Sequence, residues 1–378
     1  MQTILQTVFN LNNTSYWHPL IWIFAAGIVL YSMPKKTEYI SGQYVQRWHW
    51  VTVIMLVLPY ILWAGCRTNF IDTITYIQTF NMVPSSIAQI PAYLAYNDKD
   101  QGFSVLMIVL KSLGIRDFHT FFMFIAMFQI LCMVYTFRKY SENFWISMFL
   151  FVVSTDYISW MHNGIRQFIA VCMTFAAFDL LVKRRYVPFI LIVLLASTIH
   201  GSALLMIPFA YVMSGPALNR KTLLMIFGVA LLVPFIDRFM PMLESVLADT
   251  QYDDIMTNGI WENDDGTNLI RVLVYSVPAL VAILGRKYVK SNRDPAINLC
   301  INASMITVAM YLVSSVTSGI YIGRIPIYTT LHGYMVLPWL IDEIFEKASV
   351  RLIKVLMIVF YVAFYYYQME IIWQLLSK

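Results

Sequence analysis

Phe118-His119-Thr120-Phe121-Phe122-Met123-Phe124-Ile125-Ala126-Met127-Phe128-Gln129-Ile130-Leu131-Cys132-Met133-Val134-Tyr135-Thr136-Phe137 holds no Asp, Glu, Lys or Arg. Its length suits a bilayer, since a helix needs about 20 apolar residues to cross roughly 30 Å of hydrocarbon. Lipid offers no partner for open backbone groups, so a stretch of this kind is helical. Similar stretches lie at 18–33, 48–65, 144–160, 164–182, 186–199, 203–214, 222–236, 269–285, 296–316, 325–341 and 352–372. Together they predict an all-α polytopic integral membrane protein of about twelve transmembrane helices, one transmembrane domain over residues 1–378. The pair 186–199 and 203–214 is short. It reads either as two half-length helices meeting at Ser197-Thr198-Ile199-His200-Gly201-Ser202 or as one broken span. Residues 103–113 are apolar but too short to cross, and are expected at the outer leaflet.

Composition excludes the alternatives. Of the 378 residues 59% are apolar and 12% charged, with a mean hydropathy of +0.66. Soluble domains carry about 25% charged residues. The net charge of +5 is spread over short loops, so no nucleic-acid partner is expected. The four cysteines (Cys66, Cys132, Cys172 and Cys300) have no CxxC spacing, which argues against a structural zinc site or a disulfide framework. The first seventeen residues are uncharged and lack a basic start, and no removable signal peptide is expected.

With the N-terminus outside, most of the 26 basic residues fall in inner loops, as the positive-inside rule requires. Two long outer segments follow. One is 66–117. The other is 237–268, whose acidic residues read as a solvated loop, with calcium binding or substrate gating as alternatives.

Ionisable groups at membrane depth are costly and mark function by default. Arg67, Asp72, Arg166, His200, Arg271 and Arg324 all lie at the expected outer boundary. Arginines from separate helices at one depth suit an anion, because guanidinium forks match phosphate oxygens. Helix N-termini near Arg166, Arg271 and Arg324 favour anions too. The anion resident at a leaflet surface is a lipid phosphate or diphosphate. Each arginine has a plainer reading as a snorkelling anchor, His200 as a packed histidine and Asp72 as a helix cap. Asn163 and Gln167 read with Arg166 as a polar stripe. Asp98-Lys99-Asp100 resembles a DxD metal box but fits a solvated loop better. Aromatic residues near the outer ends, Tyr76 among them, suit sugar stacking or an interface belt.

In order along the chain, Arg67-Thr68-Asn69-Phe70-Ile71-Asp72-Thr73-Ile74-Thr75-Tyr76, Asp100-Gln101-Gly102-Phe103, Asn163-Gly164-Ile165-Arg166-Gln167-Phe168-Ile169-Ala170, Ile199-His200-Gly201-Ser202-Ala203-Leu204 and Tyr321-Ile322-Gly323-Arg324-Ile325-Pro326-Ile327-Tyr328, with Leu337-Pro338, resemble the motifs of the EpsG family of bacterial polysaccharide polymerases. The matches span roughly residues 60 to 340. The family is similar in role to Wzy-type O-antigen, capsule and exopolysaccharide polymerases. The resemblance implies a GT-C-like glycosyltransferase in the bacterial cytoplasmic (inner) membrane, with its site facing the periplasm or exterior. Its donor and acceptor would both be glycans on undecaprenyl diphosphate, with a chain-length regulator and a flippase as pathway partners.

On that reading Arg166, Arg324, Arg67 and Arg271 bind diphosphate, and Asn163, Gln167 and Tyr76 make further substrate contacts. His200, Asp72 and Asp100 are the candidate catalytic groups. His200 is preferred as base for its ordinary pKa near 6.5; Asp100 would take that role in the usual GT-C layout. Arginines that neutralise the diphosphate leave no need for a metal or other cofactor. The rival readings are an O-antigen ligase, a flippase or transporter of lipid-linked sugars and, more weakly, a membrane acyltransferase.

Overall fold

A computed structural model of the chain describes residues 7–40, 42–97, 99–235 and 266–376. Asp98 of the possible metal box, and most of the acidic 237–268 segment, lie outside the described residues. In chain order the elements are α1 (His18–Tyr31), β1 (Lys35–Ile40), β2 (Gln43–Trp48), α2 (Trp50–Gly65), α3 (Thr73–Met82), α4 (Ile90–Leu94), α5 (Gln101–Ser112), α6 (Phe118–Tyr140) and α7 (Phe144–Val153). Then come α8 (Ile165–Ala176), α9 (Phe178–Val182), α10 (Tyr186–Ile199), α11 (Met206–Met213), α12 (Arg220–Leu232), α13 (Leu269–Leu284), α14 (Arg286–Ser291), α15 (Pro295–Ser314), α16 (Ile327–Ile344) and α17 (Lys347–Tyr366).

The protein is an α-helical membrane protein. Among the described residues, Phe118–Tyr140, Ile165–Val182, Pro295–Ser314 and Lys347–Ile372 are each long and apolar enough to cross a bilayer. Phe144–Val153 and Tyr157–Asn163 make a fifth if counted as one span, bent by 71°. The remaining apolar helices are shorter, such as the 14-residue α1 and α10. The sequence ranges therefore mark helices, while the figure of twelve crossings does not follow from helix length. The short pair is broken: α10 ends at His200, which is extended, and a 3-10 turn over Gly201–Leu205 follows.

The all-α expectation needs one correction. Residues 35–48, read as a basic inner loop, form an antiparallel hairpin in which Lys35 pairs with Trp48 and Ile40 with Gln43. Gly42 takes φ +87 at its turn, a conformation open to glycine. Arg138 at the end of α6 holds the hairpin, donating from Nε to the Trp48 carbonyl at 2.6 Å and from its two terminal nitrogens to Glu38 at 2.6 and 3.1 Å. Arg47 donates to the Ser141 carbonyl at 2.7 Å.

The Arg138 hydrogen bonds pull the Glu38 carboxyl below its usual range, against opposing desolvation. A lowered carboxyl adds stability above its unfolded pKa of about 4.3 and loses it as pH falls through the folded value. Protease cleavage at the 40–43 turn should therefore be slow at neutral pH and rise only as pH falls below the usual glutamate range. Glu38→Gln should be cleaved fast at neutral pH; equal cleavage of both proteins at every pH would remove this latch.

Two compact units divide the chain, residues 1–205 with 347–378, and residues 206–346. In the first, α2 packs on α6 so closely that a Cβ on Gly65 would overlap Met123. Buried tyrosines tie its helices: Tyr60 donates to the Pro19 carbonyl and Tyr157 to the Tyr60 carbonyl, both at 2.7 Å. Tyr365 of α17 donates to the Tyr16 carbonyl, which joins the last helix to the N-terminal region.

Segment 66–117 is packed over the helices rather than free. Phe80 stacks on Phe121 at 4.5 Å between ring centres. The Lys111 ammonium donates to the carbonyls of Phe80, Asn81 and Val83 at 2.7, 3.2 and 2.7 Å, closing the C-terminal end of α3.

In the second unit, buried Asn302 on α15 accepts from the Leu218 amide at 2.9 Å and donates to the Met213 and Pro216 carbonyls at 2.9 and 3.0 Å. Gly323 lies where a Cβ would meet Thr267 Oγ1 and Ser314 Oγ at 2.8 and 2.9 Å. That close approach sets the 3-10 turn Ile322–Arg324 against the residues that lead into α13.

Candidate functional site

The first unit draws together residues far apart in sequence. Arg166 stands in the first turn of α8, and its Nη1 donates to Asp100 Oδ2 at 2.7 Å across 66 positions. The Asp100 side chain is 6% exposed and that of Arg166 43%. This carboxylate is thus shielded while its guanidinium reaches outward. Asp100 also accepts from the Gly201 amide, the residue after His200. The helix break at 200–201 is therefore fastened to the Arg166–Asp100 pair. His200 is half-buried, and its Nδ1 lies 2.7 Å from Ser202 Oγ.

Tyr76 and Asp72 complete the cluster. The Arg166 guanidinium lies over the Tyr76 ring at 5.9 Å, the Tyr76 hydroxyl hydrogen-bonds with it, and the Asp72 carboxylate faces it. Asp72 occupies the position before α3 without a side-chain cap, so the capping role does not account for its carboxylate. Asn163 accepts from the Asp72 amide at 3.3 Å and fixes the entry to α3.

Positive-φ backbone occurs at Asp100 and immediately before Asp72. Asp100 is itself left-handed at φ +48, and Ile71, before Asp72, has φ +36. Positive φ is tolerated by Asp but costly for a β-branched residue, and such strain clusters at functional sites. Burial lifts the Asp100 carboxyl above its usual range, and Arg166, the Gly201 amide and Lys99 pull the other way.

Two predicted contacts within this unit turn away from its open face. Gln167 is 4% exposed and faces the core, because one helical residue turns the next side chain about 100° from Arg166. The polar stripe read from sequence therefore splits. Arg67 is 3% exposed, donates to the Ala64 carbonyl and lies 3.8 Å over the Phe122 ring. Burial pulls its pKa down to about 9, which leaves it charged at pH 7. It serves the end of α2 rather than an accessible anion. Arg271 and Arg324 belong to the second unit. Arg271 is in the first turn of α13 and lies over the Tyr275 ring at 5.4 Å. Arg324 ends a 3-10 turn three residues before α16.

Sequence reading missed the Gly201 amide, which carries no side-chain signal. Gly102 was legible only as part of the Asp100-Gln101-Gly102-Phe103 motif; a Cβ there would overlap Thr198 Oγ1. That contact presses α5 against α10 beside Asp100.

Helices of bilayer length define the class: a polytopic membrane protein, in which the Arg166 side chain reaches outward from a helix N-terminus. The chain matches the EpsG family over residues 50–371 and belongs to it. That family is one of Wzy-type exopolysaccharide polymerases. No curated protein and no solved structure matches the chain.

Proposed function

We propose that this chain lengthens a polysaccharide at the outer face of the bacterial cytoplasmic membrane, using undecaprenyl-diphosphate-linked repeat units as donor and acceptor. The observation that carries this reading is the Arg166–Asp100 pair fastened to the His200–Gly201 break. An outward guanidinium at a helix N-terminus suits a diphosphate, and His200, which adjoins the Gly201 amide bound to Asp100, suits proton transfer.

The acceptor hydroxyl attacks the donor's anomeric carbon while His200 takes its proton. A carbon–oxygen bond forms to the acceptor. The bond to the diphosphate oxygen breaks, and the electron pair leaves with undecaprenyl diphosphate. Direct displacement inverts the anomeric centre. Arg166 faces the charge that grows on the leaving group, and a preorganised cation stabilises that transition state more than the ground state. Asp100 is a positioning residue, because its carboxylate is already engaged by Arg166 and the Gly201 amide. Tyr76 and Asp72 line the same cluster. For Arg324 the support is the motif match, and for Arg271 its place at a helix N-terminus.

Asp100 gives this reading a pH signature. Its raised carboxyl must be ionised to hold Arg166, so the lengthening rate should fall as pH drops through a value above the usual 3.9 of an aspartate. Asp100→Asn should lower the rate about tenfold or more and abolish that acid limb. An unchanged limb in Asp100→Asn would sink the positioning role.

The reading is tested by supplying purified lipid-linked repeat units alone to the reconstituted protein. A polymerase lengthens them. A ligase, which needs a different acceptor, leaves them unchanged. A transporter reading would need charges along an inner route, for which Asp179 is one candidate. Asp179 instead pairs with Lys139 and with Lys183 at 2.6 Å and accepts from Tyr140, a local anchor at the end of α8–α9.

A further inference from the structure

An apolar groove of about 600 Å³ opens in the first unit between α5, α6, α8 and α10. Its walls include Gly102, Leu106, Phe128, Ile169, Met173 and Leu195, and they are almost wholly carbon. Phe128 and Leu195 are 38% and 60% exposed, so the groove opens sideways, toward lipid in a bilayer. Its remaining feature is what stands at one end. Ile169 and Met173 follow Arg166 at spacings of three and seven on one face of α8. Gln101 and Gly102 follow Asp100 on α5, and Ile199 precedes His200 on α10. All three walls therefore lead to the same polar cluster. At 1.5 Å rise per residue, the α8 wall runs about 10 Å beyond the guanidinium.

We propose that this groove seats the first isoprene units of a polyprenyl carrier whose diphosphate lies at Arg166. The inference rests on the function proposed above and adds the place of the tail. An outward cation continuous with an apolar slot is complementary to an anion joined to a hydrocarbon chain. One groove of this size suits one prenyl chain rather than the paired chains of a phospholipid. The Gly102–Thr198 contact pins α5 to α10 at the head end and fixes the width there.

The test is photolabelling of the purified full-length protein with a polyprenyl diphosphate carrying a diazirine in an isoprene unit near the head. Labelling is expected on peptides that contain Leu106, Phe128 or Leu195. Unlabelled polyprenyl diphosphate should compete, while phosphatidylglycerol or inorganic diphosphate at the same concentration should not. Leu106→Trp and Met173→Trp, which fill the slot, should cut labelling at least tenfold; Leu106→Met should not.

Competition by phosphatidylglycerol would make the groove a general lipid slot and overturn the proposal. So would labelling spread evenly over the outer helix faces. Both arms use the unmodified protein and do not depend on how the variants fold. Polymer synthesis in the same preparation separates the two ideas. Groove labelling without lengthening removes the polymerase reading, and lengthening without groove labelling removes the groove.

Discussion

Arg166→Ala is expected to reduce glycan lengthening by about 10²–10³-fold, the usual cost of removing one preorganised group that faces developing charge. The loss should appear in the rate at saturating donor, since the cation acts most strongly as the diphosphate departs. The Arg166–Asp100 bond spans 66 positions at 2.7 Å, so the alanine variant also leaves a shielded carboxylate without its guanidinium. Arg166→Lys keeps the charge but not the planar fork, and should recover only a small part of the activity. The double variant Arg166→Ala with Asp100→Asn should be no worse than Arg166→Ala alone, because the two act as one unit. Additive losses would separate them. Initial rates of polymer formation, normalised to inserted protein, decide the matter.

His200→Ala carries the second large expectation, a fall of about 10²–10⁴-fold in rate, the range spanned by a positioned general base. His200 is extended between α10 and the following 3-10 turn. Its substitution therefore leaves both helical segments with their own hydrogen bonds. The fold should survive, with thermal unfolding close to that of the parent protein. Ser202→Ala removes the partner 2.7 Å from Nδ1 and should cost less, because the imidazole stays while its orientation loosens. A His200→Ala protein that keeps full rate would transfer the base role to Asp72.

The helices were legible because a bilayer demands long uncharged runs, and α6 or α15 can be read from composition alone. The hairpin over residues 35–48 was not. Six-residue strands inside a basic loop carry little periodic signal, and what holds them is Arg138, 100 positions from Glu38. At the site, Arg166 and His200 stood out as polar groups next to apolar helices. The Asp100 pairing was invisible, since nothing in Asp100-Gln101-Gly102-Phe103 names a partner on α8. Arg67 misled for a related reason: a cation after an apolar helix looks like an outward anchor until the Phe122 ring is found against it. The groove was latent in the spacing Arg166, Ile169, Met173, which reads as ordinary core until α5 and α10 supply the other walls.

The central claim is that the Arg166 cluster receives a departing lipid diphosphate. The direct measurement is undecaprenyl diphosphate released per glycosidic bond formed, with purified lipid-linked repeat units as sole substrate. One equivalent per bond in the parent protein, and neither product nor release in Arg166→Ala, is the predicted result. Repeat units that cross the bilayer intact with no diphosphate released, or lengthening that continues undiminished in Arg166→Ala, would contradict it.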